Sequence, residues 1–384
     1  MSTVESLHAQ ALKAYEENNI DKVVEIYENI LIINPIDEIA LDTLMDIHLE
    51  RGDKLKYYLT RADLNAAQGK AEFVINDIKK ALDLDMENID IRKRLAKTYL
   101  AVNKPLKAID EFLRVLEYDN NDLESYFELI NLYMKEGFIE SAIDIANRGL
   151  EVYQDDENIS NALAQLYFKS SDYENALRVV KDEFLKVKIL LQSDKNEQAW
   201  EILGKYSKDN TPLNRKSDFY ILSAQYAYNN NEFEKALEFV DEYIKLNAPN
   251  AVSFQMKALI YEGLENDFEA YLNWGFCKRI QEKFDEAIVE FENAHKIKPD
   301  DKTVLIELYN LYMRNKERFV AIEYMQKVYD IDKDEQAKNI LAEFYYSQGN
   351  FEKAQEYGKV NDKQEKQEEY VGWLDKIMAF FQKK

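Results

Sequence analysis

Apolar residues along this chain recur at helical intervals, in short stripes separated by polar breaks. Leu95, Ala96 and Tyr99 fall at i, i+1 and i+4; after the break, Ala108, Phe112, Val115 and Leu116 fall at i, i+4, i+7 and i+8. Each set lines one face of an α-helix, and two such stripes joined by a turn bury each other. The arrangement repeats. A small or apolar residue is followed twelve positions later by alanine in Ala96/Ala108, Ile130/Ala142, Ala164/Ala176, Ala224/Ala236, Gly275/Ala287, Tyr309/Ala321 and Ala342/Ala354. Ala108, Ala142 and Ala176 are themselves 34 apart. Val23 and Val74 hold the alanine position in degenerate copies, and a shortened copy surrounds Ala199. The pattern predicts an all-α fold, an α-solenoid of antiparallel helix pairs in which the alanine marks the closest approach within a pair. Asn34-Pro35 and Lys298-Pro299 end second helices, because a residue before proline is pushed out of the α region.

Departures from the period shape the expected domain plan. The steps from Val23 to Val74 and from Ala236 to Ala287 are both 51, one repeat of 34 plus 17, which leaves room for an additional helix at 37–51 and at 251–264. Between Ala176 and Ala199 the gap is 23, and the polar stretch Ser207–Ser217 with Pro212 follows, so 204–217 is the expected hinge. The solenoid is expected over residues 1–362 as about ten units. Residues 359–369 are almost all charged or amide, and 363–384 are expected to form an amphipathic C-terminal helix with Leu374, Ile377, Met378 and Phe381 on one face. That helix is expected to cap the last repeat. The competing use of Trp373, Phe380, Phe381, Lys383 and Lys384 as an interfacial anchor would be weak, because the acids around 365–375 balance the local lysines.

The motifs resemble the tetratricopeptide repeat family, whose signature runs large residue, x2, Leu-Gly, x2, Tyr, then Ala, x3, Phe, then Pro. The fullest copy is Tyr271-x2-Trp274-Gly275 with Ala287-x3-Phe291 and Pro299; Leu95-Ala96-x2-Tyr99 with Ala108-x3-Phe112 keeps most of it. The resemblance spans roughly residues 4–358. It implies a right-handed superhelix whose first helices line a concave groove, and a chain that holds a protein or extended peptide, needs no cofactor and is not an enzyme. With the small residue of each first helix as position 8, the family's contact positions fall on named residues. Position 5 reads Lys93, Phe127 and Asn161; position 9 reads Lys97, Asn131, Gln165, Gln225, Asn310 and Glu343, with Phe276 as an apolar exception; position 12 reads Leu100, Met134, Phe168, Tyr228, Met313 and Tyr346, with Arg279 interrupting. Amides that donate to and accept from a peptide backbone, beside apolar pockets, suit an extended ligand. Packing of position 12 against the next first helix is the competing use. Lys93-x3-Lys97 resembles only part of the family's clamp for C-terminal carboxylates, since Glu128 and Ala162 stand where amide and basic residues belong. The basic run Arg92-Lys93-Arg94 with Lys97 reads either as a face paired with nearby acids or as an anion contact.

Composition narrows the partners. Formal net charge is −23, so a nucleic-acid backbone would be repelled and basic segments attracted. Only 10 glycines and 5 prolines agree with helices over sheets. The single Cys277 forms no internal disulfide and the N-terminus reads as no secretory signal, which points to the cytoplasm. His8, His48 and His295 fall in different repeats, and Asp155-Asp156-Glu157 lacks the oxygen spacing of a calcium loop, so neither catalysis nor metal binding is expected. A monomer or weak homo-oligomer is expected. The alternatives to a binding scaffold are a self-assembling structural subunit and a peripheral membrane adaptor acting through the C-terminal helix.

Overall fold

In the computed structural model, which describes residues 3–358, every element is helical and no strand occurs among the described residues. The expected C-terminal helix at 363–384 lies outside them. The chain divides into two units, Met1–Ser193 and Asp194–Lys384.

In the first unit, α1 (Thr3–Glu16) and α2 (Ile20–Ile33) form a hairpin, followed by α3 (Glu38–Glu50), α4 (Lys54–Ala67) and α5 (Ala71–Leu84). Then come α6 (Ile89–Ala101) with α7 (Pro105–Tyr118), α8 (Leu123–Glu136) with α9 (Ile139–Val152), α10 (Glu157–Lys169) with the short α11 (Tyr173–Val179), and α12 (Glu183–Gln192). The second unit holds α13 (Asn196–Leu203), a 3-10 turn at Leu213–Arg215, α14 (Lys216–Asn229), α15 (Phe233–Asn247), α16 (Ala251–Gly263), α17 (Asp267–Ile280) and α18 (Phe284–Ile297). It continues with α19 (Lys302–Arg314), α20 (Arg318–Asp332), α21 (Glu335–Ser347) and α22 (Phe351–Tyr357). The stretch 204–217 therefore lies inside the second unit, after the division at Ser193.

Some of the acid in this sequence begins helices. Asp122, Asp156, Asp301 and Asp334 each accept hydrogen bonds from backbone N–H groups in the first turn of the helix they precede. A carboxylate there meets unpaired donors and the positive end of the helix dipole.

Tight turns between paired helices use one left-handed residue each. In the first unit these are Asn18, Gly52, Gly69, Asn103, Gly137 and Ser171; in the second, Asn231, Glu265, Glu282, Lys316 and Gly349. Within each of these two sets the step is 34, or 33 at the last, except for 17 between Gly52 and Gly69 and between Glu265 and Glu282. Each 51-residue interval thus contains a helix with the same turn at both ends. Helices do occupy the two intervals, α3 over 38–50 and α16 over 251–263. The helix that serves both neighbours is the next one: α4 packs closely on α3 and α5, and α17 on α16 and α18.

The repeated alanine behaves as its spacing implies. Val23, Ala108, Ala142, Ala176, Ala236, Ala287 and Ala321 are fully buried, as are Ala11 and Ala62, twelve residues before Val23 and Val74. Gly275 does the same work on α17, where a Cβ would stand 2.6 Å from Cε1 of Phe291, so the ring lies against bare backbone. Between α4 and α5 the apolar contact is joined by a polar one. The carboxylate of Asp77, 2% exposed, accepts from Nε of Arg61 at 2.9 Å, from a second guanidinium nitrogen, and from the Asn65 amide at 2.9 Å. A bidentate pair of this kind fixes helix register by geometry.

Candidate peptide-binding surface

The 34-residue period brings equivalent positions of α6, α8 and α10 into one stacked series in the first unit. Lys97, Asn131 and Gln165 share one position, Lys93, Phe127 and Asn161 a second, and Leu100, Met134 and Phe168 a third. The structure gives these residues different work.

Lys93 donates to Asp122 at 2.9 Å and to Glu124 at 3.0 Å, and Lys97 donates to Glu124 at 2.6 Å. Both lysines of α6 are thus neutralised by the start of α8. The hydrogen bond to Asp122 leads the effects that hold the Lys93 ammonium above the ordinary lysine range, and the hydrogen bond from Lys97 leads those that hold Glu124 below the usual carboxylate range. The rest of the basic run is paired as well: Arg92 donates to Glu111 at 2.8 Å and Arg94 to Asp63 at 2.5 Å. Asn161 accepts from the backbone N–H groups of Lys181 and Asp182, both at 2.9 Å, and so ties α10 to the chain entering α12.

Asn131 and Gln165, by contrast, stand exposed, flanked by the half-buried Phe127, Met134 and Phe168. Phe127 and Met134 pack against the core that runs from Ala62 to Leu166. Phe168 lies 5.8 Å from the ring of Tyr173, with the Lys188 ammonium 5.3 Å over its face. Beside this surface, a cleft of about 610 Å³ is lined by Val74, Asp90, Lys93, Lys97, Thr98 and Glu124 among others.

The second unit carries the remaining candidates on α14 and α19. Gln225 donates to Asn229 at 2.8 Å, and Asn229 in turn to Asn196 at 3.0 Å, so this amide is engaged within the unit. Tyr228 is half-buried, 5.9 Å from the ring of Phe233, and Asn310 is half-buried. On α17 the amide series is replaced by Phe276, stacked on Phe254 at 5.0 Å, with Arg279 5.5 Å over its ring. Arg279 reaches to 3.2 Å from Glu307, whose carboxyl is pushed up by burial and pulled back by that guanidinium.

No group of three or more His, Cys, Asp or Glu side chains suited to a metal occurs among the described residues. Cys277 is buried, its thiol pushed up by desolvation and donating to the Ala251 carbonyl at 3.4 Å, the opposite of an activated nucleophile. His295 meets Lys327 at 2.9 Å and His8 meets Asp37 at 3.1 Å, in separate places. No helix among the described residues is long and apolar enough to cross a membrane.

The profile of the tetratricopeptide repeat family matches residues 100–166, from the end of α6 through most of α10. Residues 100–166 are tetratricopeptide repeats. Repeats of this kind are generally scaffolds for protein–protein interaction rather than catalysts. No curated protein matches this chain in sequence. Among solved structures, the Naa15/Naa10 complex bound to HypK-THB matches at 14% identity, over 93% of this chain and 68% of that one, with a TM-score of 0.37. A tetratricopeptide repeat protein from Parabacteroides merdae matches at 12% identity over 68% and 99%, TM-score 0.40. YrrB, a repeat protein with an unusual peptide-binding site, matches at 16% over 59% and 95%, TM-score 0.32. Global superposition is poor in each case, and the partners of these proteins do not transfer to this chain.

The sequence offered pairing with nearby acids as one reading of Lys93 and Lys97 but did not name the partners, and it gave no sign of the backbone bonds of Asn161. A signal was present, since Asp122 and Glu124 lie one repeat beyond Asn88 and Asp90, at the first turn of the next first helix. The cleft at the α4–α5 turn was missed, because it depends on the second tight turn at Gly69.

Proposed function

We propose that this chain is a scaffold that holds an extended segment of a partner protein along the α8–α10 face of its first unit. The observation that carries the reading is the exposure of Asn131 and Gln165 at one repeat position, between half-buried Phe127, Met134 and Phe168. An amide offers both a donor and an acceptor to a peptide backbone, and the apolar side chains offer shallow sites for alternate side chains. The pairing of Lys93 and Lys97 with Asp122 and Glu124 favours a neutral backbone over a free carboxylate as the recognised group.

A photo-crosslinking residue placed at 131 or at 165 in the source cell should capture a partner in discrete adducts, while the same residue at 114 or 117, exposed on α7, should not. Equal capture from both helices would contradict the assignment of the face. Adducts made only of this chain would give the face to self-assembly.

A further inference from the structure

A second surface, separate from the α8–α10 face, lies at the corner between α2 and α3. Ile32, Ile33, Ile36 and Ile39 are 78%, 53%, 66% and 62% exposed. They fall within eight residues around Asn34-Pro35, so four branched apolar side chains crowd one turn with nothing over them among the described residues. The turn itself is firmly held. Asp37 caps α3 by accepting from the Ala40 N–H at 3.0 Å, accepts from the Asn34 amide at 3.4 Å, and sits 3.1 Å from the His8 ring nitrogen. The isoleucines are presented by a fixed backbone.

What surrounds them is acid. On α2, Glu25 and Glu28 precede Ile32 by seven and four residues and share its face; on α3, Ile39, Asp42, Asp46 and Leu49 follow at i, i+3, i+7 and i+10, again one face. All are exposed, and no ion pair reaches these four acids among the described residues. Residues 1–50 hold eleven acidic side chains against two lysines. An apolar patch rimmed by unpaired acid selects its occupant. A second copy would bring acid onto acid, and anionic headgroups would meet the same repulsion. A segment with an apolar stripe and flanking lysines or arginines meets both features at once.

We propose that the α2–α3 corner docks an amphipathic basic segment of a partner protein, independently of the α8–α10 face. The probe is a fluorescein-labelled synthetic helix of leucine and lysine with one apolar face, titrated into the full chain and read by anisotropy. Ile32→Ser/Ile36→Ser/Ile39→Ser and Asp42→Lys/Asp46→Lys should each weaken binding by about tenfold or more, while Asn131→Ala/Gln165→Ala leaves it unchanged. A scrambled peptide of equal charge should bind the wild type at least about tenfold more weakly. These positions are exposed, so unchanged circular dichroism accompanies the expected result. Wild-type affinity in the serine variant would overturn the proposal, because attraction would then be net charge alone. A wild-type dimer in light scattering that the serine variant abolishes would overturn it in favour of a second copy, and sedimentation with anionic vesicles in favour of lipid.

Discussion

Glu307 shows how a single side chain can be costly where it stands. One of its carboxylate oxygens is buried without a hydrogen-bond partner, and Arg279 lies 3.2 Å away without satisfying it. Burial raises its pKa, and the guanidinium lowers it by less. A carboxyl raised in the folded state costs stability once the pH is above that value, and the cost disappears as the pH falls below the ordinary glutamate range, about 4.3. Glu307→Gln should therefore raise the melting temperature near neutral pH, with the gain shrinking on acidification. A pH-independent difference in scanning calorimetry would show that packing, not charge, separates the two. Glu124 has the opposite sign: its pKa is lowered chiefly by Lys97, so its contribution is lost as the pH falls, and exposure and salt keep it small. The charges of the candidate site illustrate what a single sequence hides. Lys93 and Lys97 are legible as a basic pair, but their neutrality depends on residues about thirty positions away that only the folded repeat brings across.

At the scale of the element, helix pairs are legible because two periodicities agree, the 3.6-residue stripe and the 34-residue return of a small residue. Alanine at 108, 142 and 176 reads the fold directly, since only a small side chain fits where two helices touch. The 51-residue steps reveal an added helix but not how it keeps its place, because apolar spacing carries no record of turn geometry. Turn residues carry it: Gly52 and Gly69, at φ +72° and +70°, give α4 a tight turn at each end. Short α11, α12 and α13 are harder to read, for seven to ten residues hold too few turns to show a period. Non-glycine residues at the other left-handed positions bear a steric cost that glycine avoids. Lys316, at φ 65°, is one of them. Lys316→Gly should stabilise the protein by about 0.5–1 kcal/mol, and Gly69→Ala should destabilise it by about 1 kcal/mol. Thermal denaturation of the two variants checks both signs, and equal shifts in one direction would show that the turns are not held by backbone conformation.

For the whole molecule, the repeat and the net charge are readable in the sequence, but the division at Ser193 is not, because the helices on either side of it follow one another with ordinary short links. The net charge of −23 has a structural share in the aspartates that cap helices and a remainder on exposed surface. That remainder is concentrated near the α2–α3 corner, while the α8–α10 face offers amides and partly covered apolar groups. A molecule with two such surfaces fits a scaffold whose repeats supply rigidity and whose irregular positions supply recognition. The central claim is that Asn131 and Gln165 serve a partner and not the fold, and Asn131→Ala/Gln165→Ala decides it when melting temperature and partner affinity are measured on the same sample. The account predicts an unchanged melting temperature and an affinity reduced by about tenfold or more; a lowered melting temperature with full affinity would contradict it.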